Sequence, residues 1–298
     1  MNFSVIIPTY NRPKDLNVCL ESILNQSVLP DEVLVIDDGD LESEYINKVE
    51  EKFDNKNIKL VYHKKNHEVH PRGSSESRNV GVDLVSNDIF FILDDDLILD
   101  NDFFEKVMNV WGGNVDENLI GVGGVIKNNR GKLWVEELYN KVFGLSSKKS
   151  WDVNRVAFQS WDDRIEDQKK GYYVHGGVCS YNRSLIKELG GFSTFSGGRT
   201  ALEDVDLCLR AKNKGYHFLI EPKAKVIHNH SSESREDSFM IGYKEMVNRK
   251  VIFLNNSKQS IKNKIWFEWA CSGWVLRQIV VGNFRKAFGM IRGIFTLL

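Results

Sequence analysis

The chain has 298 residues, enough for one large α/β domain or two smaller ones with a substantial buried core. Its hydrophobic fraction of 42% and charged fraction of 27% are those of a globular protein and exclude a disordered one. The net charge of -1 hides an asymmetry, because residues 241–298 hold ten Lys or Arg against two Glu, about +8.

The cysteine pattern and the first residues of the sequence indicate the cellular compartment. The cysteines are widely scattered without a CxxC pair, which argues against a disulfide framework or a zinc site; they are Cys19, Cys179, Cys208 and Cys271. The N-terminus opens as a strand without a basic segment and apolar core typical of a signal peptide. No apolar stretch reaches the roughly 20 residues of a membrane-spanning helix. We therefore expect a cytoplasmic protein, either soluble or peripheral on the cytoplasmic membrane face.

Strand-like and helix-like segments alternate through the first part of the chain. Apolar runs typical of buried strands lie at residues 3–8, 33–36, 58–62 and 89–93. Segments with helical spacing follow each of them, at residues 16–24, 45–53, 77–85 and from 103 to 111. This order predicts a doubly wound, mostly parallel sheet with crossover helices.

The sequence beyond Trp111 is less regular. We predict strands at 120–127, 172–181, 216–220 and 224–227, a helix at 201–214, and helices from Glu236 to the end. Residues 133–167 fit no pattern. Their tryptophans could stack on sugars, but packing is the favoured role; they are Trp134, Trp151 and Trp161.

The acidic triplet Asp94, Asp95 and Asp96 directly follows the apolar run 89–93. It therefore lies at the carboxyl end of a strand, where open α/β sheets keep their ligands. Adjacent carboxylates repel one another, so a divalent cation such as Mg2+ or Mn2+ is expected to compensate them, and such ions usually accompany phosphates. The alternative is a helix start, which suits Asp100 and Asp102 better than the triplet. The triplet predicts a nucleotide or nucleotide-sugar site.

Five sequence blocks in this order resemble glycosyltransferase family 2. They are Val5 to Arg12, Val33 to Gly39, Ser77 to Gly81, Leu93 to Asp96, and Leu202 to Arg210. The resemblance covers roughly residues 3–230 and implies the GT-A fold, a Rossmann-like nucleotide-sugar-binding α/β fold, with inversion at the transferred sugar. We accordingly expect a catalytic domain at 1–235, with a nucleotide-binding half (1–110) and an acceptor-side half (111–235). A basic, amphipathic helical extension at 236–298 would complete the chain.

The resemblance also implies which residues bind the donor nucleotide. The loop after the first strand would cradle it through Pro8, Thr9, Tyr10 and Arg12. Without the resemblance, these residues favour a plain strand-to-helix turn marked by Pro8. Asp38 would accept the N–H of a uracil or similar base. Asp37 is the less favoured partner, and both could instead form the turn before Gly39. Arg78 would reach carbonyl or phosphate oxygens, or lie on a solvated helix face.

For the metal, the resemblance implies a DxD arrangement. Asp94 would face the ribose or the metal, Asp96 the metal, and Asp95 could share the task. His228 ends a short strand and would be a metal or phosphate ligand, with His230 as its alternative. A strand-end histidine can also be a simple polar cap.

Inversion requires a base that takes the proton of the acceptor hydroxyl, and Asp204 is our choice. Its alternative role is that of an acid at a helix N-terminus, near an i,i+4 pair of Asp206 and Arg210. By resemblance, Gly176, Gly177 and Glu203 belong to the acceptor side.

The function expected is transfer of a single sugar, UDP-sugars being favoured donors, to a glycan or lipid-linked acceptor. Processive synthases of the family carry a QxxRW block, which this chain lacks. The basic C-terminal helices carry aromatic residues and could contact a membrane surface, the catalytic domain or a second subunit. Alternatives are a catalytically silent carbohydrate-binding protein and a sugar nucleotidyltransferase. No nucleic-acid partner is expected.

Overall fold

The computed structural model describes residues 1–113, 116–129, 131, 133–195, 201–229 and 236–296. In the first part of the chain, strands and crossover helices alternate as expected. The strands are parallel and lie in the order β3-β2-β1-β4; they are β1 (Ser4–Thr9), β2 (Glu32–Asp37), β3 (Lys59–Lys64) and β4 (Ile89–Leu93). The helices between them are α1 (Pro13–Leu24), α2 (Ser43–Asp54) and α3 (Ser74–Leu84). Pro13 opens α1, at a position where a helix needs no backbone N–H donor.

The second part extends the same sheet, mostly with antiparallel pairs. Its strands are β5 (Leu97–Leu99), β6 (Leu119–Ile126), β7 (Asp152–Val153), β8 (Gln159–Ser160), β9 (Lys169–Gly171), β10 (Val178–Asn182) and β11 (His217–His228). Its helices are α4 (Phe103–Trp111), α5 (Trp134–Phe143), α6 (Arg183–Glu188) and α7 (Glu203–Asn213). The nine-stranded sheet continues from β4 as β10-β6-β11-β5, with β9 beside β11, while β7 and β8 form a separate pair. The expected α/β architecture with a mostly parallel central sheet is confirmed.

Apolar side chains fill both faces of the sheet. One cluster contains Phe3, Phe91 and Phe103 together with the buried sides of α1, α2 and α4. The other contains Phe90 and Tyr181 together with buried residues of α3 and α7. Both faces of the strands are therefore covered, which leaves the strand ends as the place where polar groups meet solvent.

Two strand predictions are wrong in detail. Residues 172–177 are not in a strand, and only the end of that segment pairs, as β10. Segments 216–220 and 224–227 belong to one strand of 12 residues, whose pairing with β6 shifts between Ile220 and Lys225. Pro222 lies in that shift, and a proline lacks the N–H that a regular ladder needs.

Three helices follow, as expected: α8 (Ser238–Asn256), α9 (Ile261–Val280) and α10 (Phe284–Ile294). Helix α8 packs on the α/β part, because Asn256 Nδ2 donates to Asp206 Oδ1 (2.9 Å) and Asn248 Nδ2 to the Ala201 carbonyl (2.9 Å). The guanidinium of Arg249 lies 3.9 Å from the centre of the Phe158 ring. Within the described ranges, no helix combines the length and apolar character needed to cross a bilayer.

Candidate active site

The parallel strands β1, β2 and β4 end at one edge of the sheet, and the predicted donor residues collect there. Thr9, at the end of β1, donates its hydroxyl to Asp95 Oδ2 (2.8 Å), and Arg12 Nη1 donates to Asp95 Oδ1 (3.2 Å). Asp95 is only 5% exposed. Burial raises its pKa to about 6, against the opposing effects of Thr9 and Arg12. Asp95 thus ties the first loop to the triplet.

The other two carboxylates of the triplet meet a histidine. Ligand atoms of Asp94, Asp96 and His228 lie within 4.8 Å of one another, and His228 Nε2 is 3.0 Å from Asp96 Oδ1. Strand β5 makes this possible, because it pairs with β11 so that His228 lies opposite Leu97, the residue after the triplet. Two carboxylates and one imidazole suit Mn2+ and can hold Mg2+. The alternative His230 lies outside the described residues.

Arg78 is 5% exposed and links two carboxylates. Its Nη1 donates to Glu203 Oε1 (2.5 Å) and its Nη2 to Asp94 Oδ1 (3.2 Å). Burial lowers the pKa of Arg78, but the two carboxylates outweigh burial and raise it above its ordinary value. Burial also raises the pKa of Glu203, against the opposing effect of Arg78. Arg78 and Glu203 therefore hold Asp94 in position from within the protein.

Gly176 and Gly177 lie against the same carboxylates, because β10 is antiparallel to β4. The Asp94 backbone N–H donates to the Gly177 carbonyl (3.1 Å). A Cβ at position 177 would lie 2.1 Å from Asp94 Oδ2, and one at position 176 would lie 3.0 Å from Asp204 Cβ. Glycine at both positions thus allows the triplet and Asp204 to approach each other.

We expect Gly177→Ala to lower kcat by about 10- to 100-fold, because Asp94 must move and a displacement of about 1 Å at a site can cost that much. The melting temperature should change much less than kcat. Gly112→Ala is a matched control, since its Cβ would meet only ordinary contacts, the nearest at 3.5 Å. Initial rates with saturating donor measure the effect. Wild-type rates in Gly177→Ala would show that the position of Asp94 is unimportant.

Asp204 lies in the first turn of α7 and is partly exposed. The Tyr173 hydroxyl donates to its Oδ2 (2.9 Å), and the Val205 backbone N–H donates to its Oδ1 (2.8 Å). Burial raises the pKa of Tyr173 well above its ordinary value, with a further contribution from Asp204, so the tyrosine remains a donor. The carboxylate is therefore oriented by two donors and lies beside Gly176.

Asp206, two residues further, has a structural role. Its Oδ2 accepts from Arg210 Nε (2.6 Å), which confirms the expected i,i+4 pair. Arg210 also donates to the carbonyls of Leu189 (2.7 Å) and Gly191 (2.8 Å). The pair fastens α7 to the turn after α6.

The carboxylates of Asp37 and Asp38 have different partners. Asp37 is fully buried and accepts from the backbone N–H of Gly39 (2.7 Å) and Leu41 (2.9 Å), which confirms the turn interpretation for this residue. Asp38 lies 2.6 Å from Lys65 Nζ and accepts from the Gly73 N–H (2.8 Å).

Lys65 and Arg72 are missing from the residues proposed from sequence. The Arg72 guanidinium lies 5.9 Å from the centre of the Tyr10 ring, and its Nη1 donates to the Asp38 carbonyl (3.2 Å). Lys65 follows the carboxyl end of β3, so the rule that selected Asp38 and Asp94 could have selected it as well. Together these groups form a polar cluster beside Tyr10.

A group of aromatic rings lies near Asp204. The His175 ring makes edge contacts with Trp151, Trp161 and Tyr173 at centroid distances of 5.3, 5.4 and 5.8 Å. Its Nε2 lies 3.3 Å from Asp163 Oδ1. Trp151 is fully buried, which confirms packing, whereas Trp134 is 74% exposed, so packing is wrong for that residue. Beyond Trp161 and Asp163 lies a cavity of about 1270 Å³.

The chain is similar to known proteins. Residues 4–190 match the family model for glycosyl transferase family 2. The chain is 25% identical over 240 residues to a glucosyl-dolichyl phosphate glucuronosyltransferase of Haloferax volcanii, covering 76% of this chain and 69% of the relative. A dolichyl N-acetyl-alpha-D-glucosaminyl phosphate 3-beta-D-2,3-diacetamido-2,3-dideoxy-beta-D-glucuronosyltransferase of Methanococcus voltae is 26% identical over 215 residues, which are 66% of this chain and 64% of the relative.

Solved structures agree on the fold. The mannosyltransferase PcManGT from Pyrobaculum calidifontis, in complex with GDP-Man and Mn2+, superposes with a TM-score of 0.59 at 16% identity, over 94% of this chain and 75% of that one. GalNAc-T7 with UDP, GalNAc and Mn2+ gives a TM-score of 0.62 at 14% identity, over 86% and 48% of the two chains. Both likenesses concern the fold alone. Because the family model spans more than half of its residues, this chain belongs to glycosyltransferase family 2 and has the GT-A fold.

Proposed function

We propose that the protein transfers one sugar, with inversion, from a nucleotide-diphosphate sugar to a hydroxyl of a glycan or lipid-linked acceptor. One observation carries the proposal: Asp94, Asp96 and His228 converge within 4.8 Å at the sheet edge. Arg78 joins Asp94 at this edge to Glu203. The residue after Glu203 is Asp204. This arrangement supports a donor diphosphate that binds beside an acceptor base.

The donor base would bind beside Tyr10, next to the polar cluster of Asp38, Lys65 and Arg72. A carboxylate suits the N–H of uracil, and the Asp38 side chain has lone pairs beyond those used by Lys65 and Gly73. This chemistry favours a UDP-sugar. The two cations would compensate the charge that Asp38 and a nucleotide bring together.

Asp94, Asp96 and His228 would hold Mn2+ or Mg2+, which supplies positive charge that stabilises a departing diphosphate. Asp204 would accept the proton of the acceptor hydroxyl as that oxygen forms a bond to the anomeric carbon. The bond from this carbon to the diphosphate oxygen breaks, and its electron pair remains on the diphosphate. Tyr173 and the Val205 N–H orient the carboxylate for this role.

A lipid-linked acceptor is favoured over a free glycan. Both archaeal relatives are named for substrates linked to dolichyl phosphate. The C-terminal helices leave large apolar side chains exposed next to basic ones, as at Phe284 and Phe288 beside Arg285. Such helices can lie on an anionic membrane surface. We infer peripheral attachment at the cytoplasmic face.

The test is hydrolysis of a panel of UDP-, GDP- and dTDP-sugars with Mn2+, Mg2+ or EDTA. We expect slow, metal-dependent release of one nucleotide, most readily UDP. Metal-dependent binding without any turnover, also with candidate acceptors added, would instead favour a silent carbohydrate-binding protein. Release of diphosphate from a nucleoside triphosphate and a sugar phosphate would favour a sugar nucleotidyltransferase.

A further inference from the structure

Helix α5 separates two surfaces of different chemistry. One side of the helix exposes large apolar side chains: Trp134 is 74% exposed, Val135 and Leu138 are each 53% exposed, and Val142 is 51% exposed. The neighbouring side lines the cavity of about 1270 Å³ through Glu137, Asn140, Lys141 and Gly144. Helical geometry places these two sets on adjacent faces.

Helix α9 continues both surfaces. Trp269 is 46% exposed, its Nε1 donates to the Val142 carbonyl (2.9 Å), and its ring stacks on Phe143 with centroids 4.8 Å apart. Three residues earlier, Trp266 lines the cavity. The apolar side of α5 and Trp269 thus form one strip, named here the apolar strip, that runs along the rim of the cavity.

The cavity has an excess of positive charge. Of its lining cations, Arg164 pairs with Asp162 (2.8 Å) and Lys212 with Asp152 (2.5 Å). Lys148 and Lys149 are exposed, and no carboxylate within the described residues lies within ion-pair distance of either one. Two exposed ammonium groups at a polar cavity suit a phosphate.

The far wall of the cavity lies next to the residues that orient the candidate base, Asp204. Asp163 and Trp161 line the cavity, and Asp163 Oδ1 is 3.3 Å from His175, the neighbour of Gly176. Trp161 lies 5.9 Å, centroid to centroid, from Tyr173, whose hydroxyl donates to Asp204. The side chains that orient Asp204 therefore form the other side of this wall.

We propose that the cavity binds the phosphate or diphosphate of a lipid-linked acceptor, with the lipid chain along the apolar strip. Lys148 and Lys149 contact the phosphate. The inference rests on the proposed transfer to a lipid-linked acceptor and names the part of the chain that recognises it. A ligand with an apolar chain and an anionic group matches the apolar strip and the cavity in their spatial order.

The test is flotation of the full-length protein with phosphatidylcholine vesicles that are plain, doped with a polyprenyl phosphate, or doped with an equal amount of phosphatidylglycerol. We expect preference for the polyprenyl phosphate, and loss of that preference by about tenfold in the double variant Lys148→Ala, Lys149→Ala, since each cation near an anionic group adds a severalfold gain. The charge-matched control is Lys56→Ala, Lys187→Ala, whose exposed lysines do not line the cavity.

Equal binding to both anionic vesicles, or equal losses in the two double variants, would overturn the inference. Unchanged melting temperatures establish that the variants fold. Donor hydrolysis by the wild-type protein is measured in parallel, so that failure of the proposed function is recognised separately. If a donor is hydrolysed but the cavity lysines do not matter for binding polyprenyl phosphate, only the acceptor site assigned here is wrong.

Discussion

Asp96→Ala is expected to lower metal-dependent donor hydrolysis and sugar transfer by about three orders of magnitude. Asp96 provides one of the two carboxylates that meet His228, with its Oδ1 3.0 Å from Nε2. Its removal leaves Asp94 and His228 as the remaining ligands, and no other described residue completes this group. Initial rates of nucleotide release over a range of Mn2+ concentrations measure the loss.

The control for Asp96→Ala is Asp102→Ala, which removes a carboxylate from the same region. Asp102 is part of an exposed i,i+4 pair with Lys106 (2.6 Å), so its removal should cost about 0.5 kcal/mol of stability or less and leave the rate unchanged. Equal rates in Asp96→Ala and the wild type would mean that the triplet does not serve the reaction.

Asp204→Asn is expected to lower kcat for transfer by about 100- to 10,000-fold while donor affinity stays within about twofold. An amide has nearly the shape of the carboxylate: its oxygen can still accept from the Val205 N–H, and its NH2 group can donate to the Tyr173 hydroxyl. It cannot take up the proton of the acceptor hydroxyl. Transfer rates at saturating acceptor, together with calorimetric titration of the donor nucleotide with Mn2+, separate the two effects.

Asp206→Asn provides the contrast to Asp204→Asn. It should lower the free energy of unfolding by about 1–3 kcal/mol, because it weakens a largely buried pair with Arg210 that also holds the Leu189 and Gly191 carbonyls. Thermal unfolding monitors this difference. If Asp204→Asn abolishes donor binding, or if it transfers sugar at the wild-type rate, Asp204 is not the base.

The sequence predicts the nucleotide side of the fold well because local signals there agree with one another. Apolar runs, helical spacing and polar strand ends all follow one βαβ pattern through Asp94, and the structure has strands and helices in that order. The convergence of Thr9, Asp38 and the triplet follows from parallel pairing, since the carboxyl ends of β1, β2 and β4 meet at one edge.

The grouping of Asp94, Asp96 and His228 depends on contacts between segments that are far apart in the sequence. Strand β5 has three residues, too few to show a period, and its pairing with β11 is what brings His228 to Asp96. Likewise, the buried partner of Arg78 is Glu203, 125 positions away. The sequence around Arg78 and around His228 does not specify these contacts.

The second part of the chain is less predictable because long loops build it. Segment 144–171 contains only short strands, so it has no periodic pattern from which to place its side chains. The cavity, the ring cluster around His175 and the exposed side of α5 therefore emerge only with the tertiary structure. Trp134 and Trp151 illustrate this, since one is exposed and the other is fully buried.

The most direct measurement of the central claim is titration of Mn2+ followed by electron paramagnetic resonance, with and without UDP, in the wild type and Asp96→Ala. We expect one Mn2+ bound per chain in the presence of UDP, a spectrum that changes on UDP addition, and loss of both in the variant. Wild-type protein that binds no Mn2+ with UDP present, or binding that is unchanged in Asp96→Ala, would contradict a cation site at Asp94, Asp96 and His228.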